Sequence, residues 1–123
     1  MSKSVNLYVV VPCYNEEAVL HETSKQMIEL FGEMKNDGLI NDNSRIVFVD
    51  DGSKDKTWSI IDELTKAHTE ISGIKLAKNA GHQNALFGGL MTVKDDCDCA
   101  ISIDADLQDD IHVIPDMVRN FID

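Results

Sequence analysis

A chain of 123 residues, 43% hydrophobic and 27% charged, is long enough for one domain with a buried core and has the composition of a globular protein. Its 22 Asp+Glu against 11 Lys+Arg give a formal charge of −11, which excludes simple electrostatic capture of nucleic acid or of an anionic membrane surface. The same charge repels an anionic substrate, so such a substrate would need a metal ion or a cluster of backbone N–H groups to receive it.

The first strand is expected over Val5 to Val11, a nearly continuous β-branched run of the kind found in parallel strands buried on both faces. Pro12 is expected to end its hydrogen bonding. Cys13-Tyr14-Asn15-Glu16-Glu17 then crosses into a helix, with Asn15 as N-cap and two glutamates in the first turn. From Glu17 to about Lys35, Leu20, Met27, Phe31 and Met34 recur at helical spacing, widened by Ile28 and Leu30, until Asn36-Asp37-Gly38 stops the helix. The second strand, Arg45 to Val49, ends in Asp50-Asp51-Gly52-Ser53.

A second helix is expected from Thr57 to Thr69, capped by Asp55, with Trp58, Ile61 and Leu64 facing inward. Gly73 to Ala77 reads as the third strand and Lys78 to His82 as a loop. Ala85, Leu86, Leu90 and Val93 mark a third helix from Gln83 to Val93. Gly88-Gly89 costs that helix about 1 kcal/mol per glycine relative to alanine, which points to close packing there. Cys99 to Ile103 is the fourth strand, and a last helix runs from about Pro115 to Ile122, where Met117, Val118, Phe121 and Ile122 lack an evident cover. No internal repeat, linker or low-complexity segment interrupts the series, so residues 1–123 read as a single domain.

Strand and helix alternate throughout. That order implies an α/β fold, a mostly parallel sheet covered on both sides in three α/β/α layers with right-handed crossovers. The polar clusters Pro12–Glu16, Asp50–Ser53 and Asp104–Gln108 all follow strands and therefore emerge on one sheet edge, where open α/β sheets place ligands. Asp51 there could accept from a base N–H or a ribose hydroxyl, Tyr14 could lie against a flat base and Glu16 could take a ribose hydroxyl. Each also has an ordinary reading as a turn or cap residue.

Asp104 and Asp106, on either side of Ala105, form the most chemically pointed pair. Two carboxylates about 5–6 Å apart repel by roughly 3 kcal/mol at an effective dielectric near 20, and a hard divalent cation such as Mg²⁺ or Mn²⁺ relieves that repulsion. Turn formation by the two aspartates is the competing account. A calcium helix-loop-helix starting at Asp104 fails, because Asp109 and Pro115 stand where glycine and glutamate are required. Neither G-x-G-x-x-G after the first strand nor a phosphate-binding G-x-x-x-x-G-K-[ST] nor a G-x-S-x-G elbow occurs.

The three cysteines, Cys13, Cys97 and Cys99, are an odd number, as expected of a reduced cytoplasmic protein. Cys97-x-Cys99 with His112 lacks the usual zinc spacing. His82 could face a ligand, whereas His21, His68 and His112 are expected in solvent. Val9-Val10-Val11 is too short for a signal peptide, and no apolar run approaches the about 18 residues of a membrane span.

Four ordered stretches, VVPCYNEE (Val10 to Glu17), FVDDGSKDKT (Phe48 to Thr57), NAGHQNALFGGL (Asn79 to Leu90) and DADLQDD (Asp104 to Asp110), resemble the inverting family 2 glycosyltransferases. Within that family the glycine-histidine-glutamine loop and the Asp-Ala-Asp-Leu-Gln string are similar to those of enzymes that move a sugar onto a polyprenyl phosphate. The resemblance implies a Rossmann-like nucleotide-diphospho-sugar transferase fold, incomplete at its C-terminus. It implies that Pro12, Tyr14, Glu16 and Asp51 hold the nucleotide of a UDP- or GDP-sugar. Asp104 and Asp106, with Ala105 between them and Gln108 beside them, would hold a divalent cation, Mg²⁺ or Mn²⁺, that bridges the diphosphate.

Asp109-Asp110 departs from the family pattern, in which proline often follows soon after; here it waits until Pro115. The family places its general base, and an arginine-bearing segment for the diphosphate, further along than Asp123. The chain would then be the donor-binding part of a longer enzyme that meets the cytoplasmic face of a membrane through segments outside it. A phosphoacceptor receiver domain is a rival, although Asp50-Asp51 follows the second strand rather than the first. A non-catalytic module that pairs with another copy through its sheet edge is a third reading.

Overall fold

Among the described residues four strands and four helices alternate: β1 (Leu7–Cys13), α1 (Leu20–Asn36), β2 (Arg45–Asp50), α2 (Thr57–Ala67), β3 (Ile71–Lys75), α3 (His82–Val93), β4 (Cys99–Ser102) and α4 (Ile114–Ile122), the last entered through a 3-10 turn at Ile111–Val113. The computed structural model describes residues 4–76, 81–105 and 111–122, with residues 82–87 described by their backbone alone. All strand pairs are parallel, in the order β3-β2-β1-β4.

Alternation along the strands sorts two cores. Leu7, Val9 and Val11 of β1 join Phe48 of β2, Phe31 of α1 and Ile61 of α2 on one face, where Ile114 and Val118 of α4 also pack. Val10, Val47 and Val49 point to the opposite face and meet Val93 of α3. This is the three-layer α/β/α arrangement, and it explains why the first strand reads as an unbroken apolar run: odd and even positions are both buried. Each fully buried large side chain contributes roughly 1.5–3 kcal/mol relative to an exposed one.

Glycine sets the spacing of the α3 layer. A Cβ on Gly89 would lie 2.8 Å from both Val10 Cγ1 and Val49 Cγ2, whereas one on Gly88 would meet nothing within 4 Å. Of the expected pair, Gly89 alone makes the close approach. At the end of α1, Gly38 takes φ +73°. Its N–H donates to Lys35 O at 3.1 Å and that of Leu39 to Met34 O at 2.9 Å, which closes the last turn in the Schellman manner.

Several expected boundaries shift for identifiable reasons. β1 does not stop at Pro12 but pairs with β2 through Cys13, with Pro12 opposite Val49. Odd residues of β1 bond toward β2, as the Asp51 N–H to Cys13 O bond of 2.8 Å shows, and even residues toward β4, as Ile103 N–H to Val10 O shows at 3.2 Å. The missing proline donor therefore faces β4, whose ladder has already ended at Val10↔Ser102. Helix α1 starts at Leu20 rather than Glu17, and Asn15 is not its cap: Val19 precedes the helix without a side-chain cap. Ile71 pairs with Ile46, so β3 begins two residues before the expected Gly73. On α4, Val118 is buried and Ile122 packs on the core, while Met117 and Phe121 stay about half exposed.

Candidate functional site

The strand order places β1 between β2 and β4, so the chain leaves β1 toward one neighbour and returns from the far end to the other. Such a reversal opens a crevice at the carboxyl ends of the strands. Pro12 to Glu16 continue from β1 at that edge, Asp50 and Asp51 end β2 on one side of them, and Asp104 with Ala105 follow β4 on the other. Asp104 lies two residues past Ser102, which pairs with Val10; continuing that register sets it level with Pro12. Asp106 and Gln108, the other members expected here, lie outside the described residues, as does the side chain of His82.

The two aspartates that end β2 do different work. Asp50 is fully buried; its Oδ1 accepts the Ser53 N–H at 3.2 Å and fixes the turn, while Oδ2 has no hydrogen-bond partner among the described residues. Asp51, also buried, accepts the Gly81 N–H on Oδ2 at 3.0 Å. Gly81, at φ +91°, stands immediately before α3. The Asp51 carboxylate thus anchors the entry to α3 from the carboxyl end of β2.

Tyr14, 40% exposed, offers its ring to solvent on the same edge, and Glu16 is half-buried. Between them Asn15 takes φ +52°, and the chain from Asn15 to Glu17 is bonded across to the loop after β2. Asp55 joins this arrangement, although it is not the expected cap of α2, a place taken by Lys56 without a side-chain bond: its Oδ1 accepts the Thr57 N–H at 2.9 Å and the Thr57 hydroxyl, and its Oδ2 accepts the Glu17 N–H at 3.3 Å. Slight desolvation pushes this carboxyl up, but the combined hydrogen bonds from Thr57 and Glu17 bring it below the ordinary carboxylate range.

On the β4 side, the buried hydroxyl of Thr23 on α1 donates to Ala105 O at 2.5 Å. This ties the segment between the two expected metal-binding aspartates to a helix in the core. Nothing in the sequence singled out Thr23, Ser53 or Thr57, because each acts on a backbone group brought near by folding. Asp104 is half-exposed at the strand end and supplies hard oxygen donors suited to a divalent cation. Among the described residues no three His, Cys, Asp or Glu side chains form a metal-holding group by themselves. Nor is any described helix long and apolar enough to cross a membrane.

The chain is 50% identical over 115 residues to the uncharacterized glycosyltransferase YkoT of Bacillus subtilis (strain 168), covering 94% of this chain and 34% of that protein. It is 37% identical over 117 residues to the prophage bactoprenol glucosyl transferase homolog of Escherichia coli (strain K12), covering 95% of this chain and 36% of that one. The chain therefore spans about a third of the length of these curated relatives. Among solved structures, mannosyltransferase PcManGT from Pyrobaculum calidifontis, in complex with GDP-Man and Mn2+, shares the fold with a TM-score of 0.70 at 23% identity, over 85% of this chain and 28% of that one. The family model for glycosyl transferase family 2 matches residues 8–123, from the second residue of β1 through α4. By that match and by its parallel sheet with acidic strand ends, the chain belongs to glycosyl transferase family 2.

Proposed function

We propose that the crevice binds a nucleotide-diphospho-sugar, and that the chain is the donor-binding part of a glycosyltransferase that passes the sugar to a polyprenyl phosphate. The observation that carries the donor site is the convergence of Tyr14, Glu16, Asp51 and Asp104 on the carboxyl ends of β1, β2 and β4 at the reversal of strand order. The acceptor class is supported by relatives named bactoprenol glucosyl transferase and undecaprenyl-phosphate 4-deoxy-4-formamido-L-arabinose transferase. A structural neighbour solved with GDP-Man and Mn2+ supports a nucleotide sugar with a divalent cation.

In this reading Pro12 walls the nucleotide pocket, the Tyr14 ring covers the base, Glu16 accepts from a ribose hydroxyl and Asp51 accepts from a base N–H. Asp104 and Asp106 would hold a Mg²⁺ or Mn²⁺ ion, with Ala105 and Gln108 beside the diphosphate. The ion, when bound, offsets the charge that builds on the departing nucleoside diphosphate. The protein's part is to fix the segment that carries those carboxylates: Thr23 holds the Ala105 carbonyl, and the Ile103 N–H bond to Val10 O ties the chain to β1 just before Asp104.

The test is calorimetric titration of UDP, GDP, UDP-glucose and GDP-mannose with Mn²⁺ or Mg²⁺, repeated with chelator. Metal-dependent binding of one base is expected, and no binding of any to the folded chain would defeat the reading. Two substitutions separate ligand contact from anchoring. Asp51→Ala loses both the base contact and the acceptor for Gly81, so it should bind at least tenfold more weakly and also lose about 1–3 kcal/mol of stability. Asp51→Asn keeps an oxygen for Gly81, so it should melt like the parent yet still bind weakly; equal binding by parent and Asn variant would remove Asp51 from the ligand.

A further inference from the structure

The loops after β1 and β2 are joined by four backbone donors whose acceptors are all side chains across the gap. Asn15 N–H donates to Ser53 Oγ at 2.9 Å, and Lys54 N–H donates back to Asn15 Oδ1 at 2.8 Å. Glu16 N–H donates to Thr57 Oγ1 at 2.8 Å, and Glu17 N–H to Asp55 Oδ2 at 3.3 Å. Asn15 is the hinge of this clasp. Among the described residues it alone, of those that are not glycine, has a left-handed backbone, φ +52°.

Asparagine meets both demands of that position. It tolerates the left-handed region better than other residues with a Cβ, and its short amide can hydrogen-bond backbone nearby. Glycine would meet only the first demand and alanine neither. The consequence falls on the neighbours: the two peptide planes that meet at Asn15 set the directions in which Tyr14 and Glu16 leave the chain. A right-handed φ at residue 15 would redirect one of them away from the crevice.

We propose that Asn15 is a positioning residue that, through the clasp to Ser53 and Lys54, holds Tyr14 and Glu16 in the orientation that receives the nucleotide; this rests on the donor-site reading above. Its role is indirect in that its Oδ1 accepts from the Lys54 N–H of the neighbouring loop.

Calorimetric titration of UDP and GDP with Mn²⁺ into the parent, Asn15→Ala and Asn15→Gly, with melting curves on each, tests this. The expected order of affinity is parent, then glycine, then alanine, the last at least tenfold weaker than the parent, with glycine recovering part of the loss because it accepts the backbone angle. A double-substitution cycle supplies the readout that a purely structural role would not move. Combined with Glu16→Gln or Tyr14→Ala, Asn15→Gly should cost much less than it does alone, because the group it positions has already been altered.

Parent-like affinity in both Asn15 variants would overturn the inference while leaving the donor site intact. Strictly additive losses in both cycles would overturn it too, by showing that Asn15 does not act through its neighbours. Absence of nucleotide binding by the parent would defeat the donor site and this inference together. Should Asn15→Ala fail to fold, Asn15→Gly and Ser53→Ala, which removes one acceptor at the far side of the clasp, carry the same test.

Discussion

Cys13 shows how position alone can silence a reactive group. It ends β1 with its thiol bonded to Val11 O at 3.3 Å, and burial pushes its pKa far above the ordinary thiol range, with the charges of Glu16 and Asp50 adding to the effect. Burial also raises the thiols of Cys97, where Cys99 and the aspartates Asp96 and Asp98 add to it, and of Cys99, where Asp98 does. With an aromatic disulfide reagent at pH 8, two thiols should therefore react slowly in the folded protein, faster as the pH rises, and the third only after denaturant is added. Three equivalents released at once from the folded chain would contradict the burial of Cys13. Residue-scale reading of the sequence placed Asp51 and Tyr14 directly after strands, which is where the structure has them. It failed for Asn15, because an asparagine before an apolar periodic segment looks the same whether its oxygen caps that helix or reaches a loop 39 residues away. Which acceptor or donor lies nearby is settled by tertiary structure.

At the scale of elements, α3 lies against the sheet through a gap that only a hydrogen atom fills. Gly89→Ala must push the helix off Val10 and Val49 and should destabilise the protein by about 1–3 kcal/mol. Gly88→Ala, whose added methyl group meets open space, should instead be neutral or stabilising by up to about 1 kcal/mol through helix propensity. Chemical denaturation of the two variants checks both signs, and equal effects would contradict the close approach at Gly89. The apolar spacing of α1 was legible because Leu20, Met27, Phe31 and Met34 are all buried against one face. Its first turn was not, since the residues expected to begin the helix are drawn into hydrogen bonds with another loop. Pro12 illustrates a subtler limit: proline removes a donor on one edge of a strand only, and sequence does not say which edge.

For the whole molecule, alternation of strand and helix gave the parallel sheet and its common acidic edge, but the order β3-β2-β1-β4 had to come from the structure. That order makes the crevice a seam between two parts of the sheet, so a ligand that spans it should bind the folded state alone. Saturation at a hundredfold excess over Kd should then stabilise the chain by about 2.7 kcal/mol. Thermal melts with UDP or GDP, with and without Mn²⁺, should show a shift that grows with the logarithm of nucleotide concentration; a midpoint independent of nucleotide would count against a site across the seam.

The two sides of β1 are also unequal in the cost of assembling them. The contact from Leu7 to Ser44 on the β2 side spans 37 residues, whereas that from Asn6 to Asp98 on the β4 side spans 92. Loop closure over the longer distance costs about 0.8 kcal/mol more, and β4 contributes only four residues to the ladder. The hairpin-free unit of β1, β2 and β3 with its two helices is therefore expected to form first and β4, which Asp104 follows, to dock last; substitutions in β2 should then slow refolding, whereas substitutions in β4 should mainly speed unfolding. In that order the side that holds the clasped loops would be built early and the Asp104 side late, which would make completion of the ligand edge the closing event of folding.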